Sequence, residues 1–482
     1  MILKDLLEKV NIVKAEADMD IEIHGISFDT RSLKAGELFV AIRGIESDGH
    51  DYIQEAVEKG AVCVICEQPP DIATPYILVE NARKALALTS AKWFGEPAQK
   101  LKMIGVTGTN GKTTVTSLIK NVLEKCTGGT VGLIGTNAVM IGNKELPAER
   151  TTPESYEIQQ LLAEMVSAGC EYVVMEVSSH ALCLDRVHGI EFEVGVYTNL
   201  SQDHLDFHGT MENYAKAKAL LFTISKAAAI NLDDEYAQIM IDSATCPVMT
   251  YAIDNGDADL VAKSIRLHAE KVDFCALMIG HLHRAELNIP GMISVYNALS
   301  AMSAALLLGF DIESISMIMK TCGGVKGRAE IVPVPRDFTV MIDYAHTPDA
   351  LKNIIKTVRG FAKGRVVTLF GCGGDRDREK RPLMGKIAAE LSDFVIVTSD
   401  NPRTEEPGEI IEDILAGIEG KKPPRRVIEN RREAIHWALE NTQPGDVIIL
   451  AGKGHETYQI IGKDKTHFDE REVVAEYFIG NP

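Results

Sequence analysis

The sequence is poor in several things at once. It has two tryptophans in 482 residues, and its nine cysteines are scattered along the chain. Only Cys63 and Cys66, in "AVCVICEQ", lie close together. A zinc site would need a second such pair, so these read as core thiols of a buried strand in a reducing compartment. No apolar run approaches the ~20 residues of a membrane-crossing helix, and no membrane insertion is expected. The opening "MILKDLLEKV" predicts a charged amphipathic helix and lacks a signal-peptide pattern. Positive charge is also short: 50 Lys and Arg face 69 Asp and Glu, a formal net charge of −19. That balance argues against non-specific binding to nucleic acid or to an anionic membrane. It leaves room for small anionic ligands, because a local cationic loop overrides a global field. Low-complexity segments and internal repeats are missing as well.

What is present is a globular, evenly mixed α/β chain, too long for one ordinary core. Residues 1–97 carry short strand-like runs ("GISFDTRS", "GELFVAI", "AVCVICE", "PYILVE") between helical stretches such as "YIQEAVEKG". They end in the proline-bearing linker "KWFGEPAQKLK". From residue 98 the pattern becomes apolar strand, glycine loop and helix, with further strands at "YVVMEV" and "VGVYTNL". This predicts a parallel sheet with crossover helices. In "TTVTSLIKNVLEK" the residues Val115, Leu118, Ile119, Val122 and Leu123 share one helix face. A second change falls near "GVKGRAEIVPVPRD". Beyond it "TVMIDY", "RVVTLFG", "FVIVTS" and "DVIILAG" alternate with helices such as "RPLMGKIAAELS". Three α/β domains, 1–97, 98–328 and 329–482, are the economical division.

The most informative stretch is "IGVTGTNGKTTV". A strand runs through Gly105 to Gly108 and Gly111, and Lys112, Thr113 and Thr114 open a helix. Such a loop lets backbone N–H groups approach phosphate oxygens, and the helix N-terminus adds a favourable field. Lys112 is suited to neutralising the terminal phosphates and Thr113 to ligating Mg²⁺. The strict P-loop pattern is missed because Val106 stands at its first position. Glu176, in "VVMEVSSH", and the group Asp203, His204, Asp206 and His208, in "TNLSQDHLDFHG", fall at ends of later strands. In open α/β sheets those ends line the ligand crevice, where a carboxylate either holds Mg²⁺ or serves structure. Lys216 and Lys218 follow in "NYAKAKALLF"; spacing alone makes both surface charges.

"TGTNGKTT", "MEVSSH", "DHLDFHG", "GRAE", "DYAHTP", "FGCGGDRD", "DNPR" and "AGKGHE" occur in this order. Together they resemble the Mur ligases of peptidoglycan synthesis, above all the branch adding the third amino acid. The resemblance runs from about Ser27 to past Glu456. It implies an N-terminal UDP-binding α/β domain, a central P-loop ATPase with a parallel sheet, and a C-terminal Rossmann-like domain for the incoming amino acid. It implies ATP as co-substrate and Mg²⁺ as cofactor. Gly108, Thr109, Asn110, Gly111, Lys112, Thr113 and Thr114, with Asn297, Arg328 and Asp343, would bind ATP, and His346 would add a nucleotide contact. Lys112, Glu176, His204 and Lys218 would be catalytic. Thr113, Glu176, His204 and Lys218 would surround the metal, Lys218 as a carbamate (N6-carboxylysine); Lys216 is its competitor for that place. Phe28, Thr30, Thr151, Thr152, Ser178 and Arg186 match contacts to UDP-MurNAc-L-Ala-D-Glu. Leu184 replaces a glutamine of some members, and that contact is not carried over.

The loop "SDNPRTEEP" bears on which amine is added. Taken alone it is a polar turn after a strand. In the family's diaminopimelate-adding members the arginine of this motif holds a distal carboxylate that lysine lacks. Arg381, Asp400, Asn401, Pro402, Arg403, Gly452 and Glu456 match that pocket, with Glu456 facing the distal ammonium. The expectation is therefore an ATP-dependent amide ligase. It would add meso-diaminopimelate to the D-Glu γ-carboxylate of UDP-MurNAc-L-Ala-D-Glu through an acyl phosphate and a tetrahedral intermediate. A monomer in the bacterial cytoplasm is expected, with no nucleic-acid partner. The alternatives are an L-lysine-adding relative, a folylpolyglutamate synthetase-like ligase, or a nucleotide-regulated binding protein without turnover.

Overall fold

The computed structural model describes residues 1–44, 47–148, 150–268, 270–418, 420 and 425–480. Three sheets organise them. The first has five strands in the order Ile12–Glu16, Tyr76–Val79, Cys63–Cys66, Glu37–Val40 and Gly25–Ser27. All neighbours are parallel except the Ile12–Glu16 edge. The Cys63–Cys66 strand is buried throughout, and burial pushes the Cys63 thiol up to about 12 and Cys66 to about 11. These are inert core thiols, and the nine cysteines are all free. The opening helix is shorter than its pattern predicts, only Leu3–Leu6. Leu3, Leu6 and Leu7 are already buried, so one turn uses up the apolar face.

The second sheet has eleven strands, with Lys102–Thr107 near its middle, between Val194–Tyr197 and Cys170–Glu176. Its centre is parallel, as the pattern predicts. Its margins are not: Leu260–Leu267, Val272–Met278 and His281–Leu287 form antiparallel ladders at one edge, and Val139–Ile141 and Lys144–Leu146 at the other. The helix Lys112–Thr127 buries Val115, Leu118, Ile119, Val122 and Leu123 against one face, beside the apolar helix Met292–Leu307. The opposite face packs Met103, Val173, Met175, Phe192, Leu221 and Phe222. Gly105 belongs to this packing and not to the phosphate loop: a Cβ there would lie 2.9 Å from both Leu221 and Phe192.

The third sheet runs Glu330–Val332, Thr339–Asp343, Val447–Ala451, Val366–Phe370, Phe394–Val397 and Arg425–Val427. It is parallel but for the first strand and has apolar clusters on both faces. A hairpin, Tyr458–Ile461 with Asp464–His467, follows it. The fold is thus α/β in three domains, each around its own sheet. Strand ends of the second and third sheets supply most residues of the site below. No helix among the described residues is long and apolar enough to cross a membrane.

Candidate active site

The loop after Lys102–Thr107 is held from several sides. Gly108 has φ +145, and a Cβ there would overlap the Thr198 hydroxyl and lie 3.1 Å from Asn199 backbone atoms. Thr198 Oγ1 donates to the Asn110 carbonyl at 2.7 Å, and Thr109 N donates to the Asn199 carbonyl at 2.8 Å. Two lysines meet on one acceptor: Lys112 Nζ and Lys218 Nζ each donate to the Gly108 carbonyl at 2.9 Å. Lys218 is fully buried, 4.4 Å above the Tyr214 ring. Burial, then the neighbouring Lys112 charge, hold its amine well below the ordinary lysine range. Lys216 instead points outward and pairs with Glu212 at 2.7 Å. The two lysines that spacing left equal are separated by the helix face each occupies.

Glu176 ends its strand almost fully buried, accepting from Thr136 N at 2.8 Å and Thr136 Oγ1 at 2.9 Å. His204 adopts φ +53, a costly backbone for a non-glycine residue that its surroundings must enforce. Its ring lies edge-on to His180 at 4.8 Å, and Asp203 Oδ2 is 3.5 Å from Nε2. Burial keeps this imidazole below its ordinary range and so neutral, although Asp203 opposes the shift. Thr113 opens the helix, its hydroxyl accepting from Arg328 Nη2 at 3.2 Å. The oxygens of Thr113 and Glu176 suit Mg²⁺, which takes one or two protein ligands plus phosphates instead of a full protein cage. Among the described residues no three His, Cys, Asp or Glu side chains gather into a metal cage.

Beside Glu176 runs a wall of predicted substrate residues. Thr152 Oγ1 donates to the Glu176 carbonyl at 2.8 Å and accepts from Ser178 N at 3.1 Å; Thr151 Oγ1 lies 3.0 Å from Thr136 Oγ1, whose own proton goes to Glu176. Arg186 Nη1 donates to the Thr152 carbonyl at 3.0 Å, and Nη2 lies 2.7 Å from Glu154. Glu154, which motif reading passed over, is a hub: Arg83 and Arg150 also reach it, each at 3.2 Å. Arg83 comes from the first domain, so this carboxylate ties it to the second. Phe28 joins the wall through Tyr156, ring centroids 6.3 Å apart. Thr30 lies nearby in sequence, its carbonyl accepting from Lys59 at 2.9 Å.

An open cleft lies between the second and third domains. Asn110, Gly111, Thr114, Asn297, Arg328 and Asp343 line it, joining four scattered segments of the predicted nucleotide set. Asp343 Oδ2 accepts from Ala329 N at 2.7 Å, and Arg328 lies over the Tyr344 ring at 4.8 Å. Burial raises the Asp343 carboxyl. His346 bonds the Tyr344 carbonyl through Nδ1 at 2.8 Å, and burial holds it down at about 4. Sequence reading missed the apolar wall, Ile289, Pro290, Ile293 and Ile354. It also missed Asp349, which bonds Asn110 Nδ2 across the cleft at 3.2 Å.

In the third domain the "DNPR" and "KGHE" loops meet. Asn401 Nδ2 donates to Glu456 Oε2 at 2.8 Å, and Asn401 Oδ1 accepts from Lys453 Nζ and Ile460 N, both at 3.0 Å. Gly452, at φ +115, brings its backbone against Asp400 Oδ2. Arg403, at φ +53, donates from Nη1 to the Gly374 carbonyl at 2.7 Å, and Pro402 packs on Gly374. Arg381 stands differently. It is fully buried, its guanidinium held by Glu405 at 2.7 and 2.9 Å and by Asp413 at 2.9 Å. Its Nη2 also reaches the Gly373 carbonyl at 3.4 Å, next to the Gly374 carbonyl that Arg403 binds.

Three family models match the chain: the Mur ligase family, catalytic domain, over residues 22–96; the Mur ligase middle domain over 106–305; and the Mur ligase, glutamate ligase domain, over 327–454. A UDP-N-acetylmuramoyl-L-alanyl-D-glutamate–2,6-diaminopimelate ligase of Clostridium acetobutylicum is 47% identical over 481 residues, with 99% of each chain covered. A ligase of the same name from Caldanaerobacter subterraneus is 48% identical over 481 residues, covering 99% of this chain and 98% of that one. A solved structure under that name superposes with TM-score 0.71 at 32% identity, covering 100% of this chain and 99% of the other. The chain belongs to the Mur ligase family.

Proposed function

We propose that this protein is an ATP-dependent ligase that joins meso-diaminopimelate to the D-Glu γ-carboxylate of UDP-MurNAc-L-Ala-D-Glu. The observation that carries this reading is the sequence of three adjoining sites. A phosphate loop and nucleotide cleft sit beside the Thr152–Ser178–Arg186 wall, and the Asp400–Arg403–Glu456 pocket lies in the domain that closes the cleft. A carboxylate has no usable leaving group at neutral pH. Transfer of the ATP γ-phosphoryl to a carboxylate oxygen supplies one. The amine then adds to the carbonyl carbon, loses a proton, and the tetrahedral intermediate expels phosphate.

In this reading Lys112 turns from the Gly108 carbonyl to the transferring phosphoryl and neutralises it. Thr113, Glu176 and His204 would hold Mg²⁺, which when bound offsets phosphate charge. Two amines share one carbonyl acceptor, and burial beside Lys112 disfavours a charge on Lys218. Carbamylation of Lys218 uses this: its neutral amine bonds the carbon of CO₂ and releases a proton, so that an anion stands beside the Lys112 charge. Asn297, Arg328, Asp343 and His346 border the nucleotide, and Phe28, Thr30, Thr151, Thr152, Ser178 and Arg186 border the UDP-sugar peptide. Arg403 is the fork donor for the distal carboxylate of diaminopimelate. We place the domain borders near residues 97 and 328, and the enzyme in the bacterial cytoplasm as a monomer.

The test is phosphate release from ATP and Mg²⁺ with UDP-MurNAc-L-Ala-D-Glu, comparing meso-diaminopimelate with L-lysine. Release that depends on diaminopimelate and is weak with lysine is expected. Preference for lysine would overturn the Arg403 assignment, and no dependence on either amino acid would overturn the function.

A further inference from the structure

Lys453 has no part in the reading above, yet it is the one fully buried lysine of the amino-acid pocket. Its Nζ lies 3.0 Å from Asn401 Oδ1, 3.1 Å from Glu456 Oε2 and 3.9 Å from Asp400 Oδ1. The aromatic rings of Tyr458 and Phe468 flank it at 5.8 and 5.9 Å. With no solvent exposure, Lys453 cannot itself be a docking point for ligand. It faces two acids from inside the protein, while Arg403 stands on the loop opposite.

The charges in the pocket can be counted. On the two loops themselves, Asp400 and Glu456 contribute two negative charges and Lys453 and Arg403 two positive ones. The distal end of diaminopimelate is a zwitterion, one ammonium and one carboxylate. It needs one acid and one guanidinium, which leaves a second acid that no substrate group would meet. A buried unpaired carboxylate is costly. Resting on the proposed function, we infer that Lys453 is a positioning and specificity-determining residue: it neutralises the surplus acid internally, so that the pocket fits a zwitterionic amino-acid terminus and not a bare ammonium. Without its charge the pocket would be one unit more negative, which favours a monocationic side chain such as that of lysine. Burial already raises the Glu456 carboxyl while Lys453 opposes the rise, in keeping with a lysine that keeps this acid ionised. Arg381 does not enter the count, because Glu405 and Asp413 already pair with it.

The test compares K453Q, K453R and the double variant D400N/K453Q with the unaltered enzyme. The readout is the ratio of kcat/KM for meso-diaminopimelate to kcat/KM for L-lysine. This ratio cancels the fraction of folded enzyme, so partial misfolding does not disturb it. K453Q should lower the ratio about tenfold or more, mainly through a raised KM for diaminopimelate. K453R, which keeps the charge, should stay closer to the unaltered ratio. D400N/K453Q, which restores the charge count, should recover part of it. Should K453Q lose all activity, recovery in the double variant supports the proposal and continued inactivity overturns it. A ratio unchanged in K453Q, or lowered equally in K453R, also overturns it. Failure of the unaltered enzyme to use diaminopimelate would instead count against the proposed function.

Discussion

Replacing Gly108 by alanine perturbs the centre of the site with one methyl group. At φ +145 a side chain is strained whatever the space around it, at a cost of about 1–3 kcal/mol. The new Cβ would also overlap Thr198 Oγ1 and press on Asn199, and such overpacking adds about 1–3 kcal/mol. The sum, about 2–6 kcal/mol, is a large share of the 5–15 kcal/mol typical of a folded domain. The loop can escape only by moving. Movement carries away the Gly108 carbonyl shared by Lys112 and Lys218 and the Thr198–Asn110 bond. Gly128 is the control: its φ is +68, but a Cβ there meets nothing within 4 Å, so alanine costs only about 1–2 kcal/mol. Thermal melting and ATP kinetics of the two variants separate the effects. G108A should melt well below G128A and lose about a hundredfold in kcat/KM for ATP, while G128A keeps its kinetics. Equal melting with intact ATP use in G108A would refute the crowding described here.

E154Q removes the charge that Arg83, Arg150 and Arg186 share; a loss of about 3 kcal/mol and a raised KM for the UDP-sugar peptide are expected, and an unchanged melting curve and KM would contradict the hub. For pH, His346 and His455 are both held at about 4 by burial, against ~6.5 in an unfolded chain. Their lowered folded values mean that the unfolded chain takes up protons first. Stability is therefore complete above about pH 6.5 and lost as pH falls toward 4, and the melting temperature should drop between pH 7 and 5. A flat or rising melting temperature over that range would show these rings are not buried neutral.

The placement of the phosphate loop and Glu176 at strand ends, and of His204 in the loop beyond Val194–Tyr197, could be read from sequence because residue types with no packing use there follow apolar runs. The helix face of Val115, Leu118, Ile119, Val122 and Leu123 was equally plain from its period. Lys218 was not: residues two apart on a helix look alike until one face is buried, and burial here depends on Tyr214 and a loop 110 residues away. The same limit hid Asp349, Glu154 and Lys453, whose partners arrive from other segments. The antiparallel margins of the central sheet were missed because their pairing partners, not their composition, define them. Arg381 is a motif position whose acidic partners, Glu405 and Asp413, the motif did not show.

The central claim is that a substrate carboxylate receives the phosphoryl group. It is tested most directly by labelling the D-Glu γ-carboxylate of UDP-MurNAc-L-Ala-D-Glu with heavy oxygen and analysing the phosphate released with ATP and meso-diaminopimelate. An acyl phosphate keeps its carboxylate oxygen on phosphorus when the amine expels it, so labelled phosphate is predicted. Unlabelled phosphate accompanying full amide formation would contradict the account.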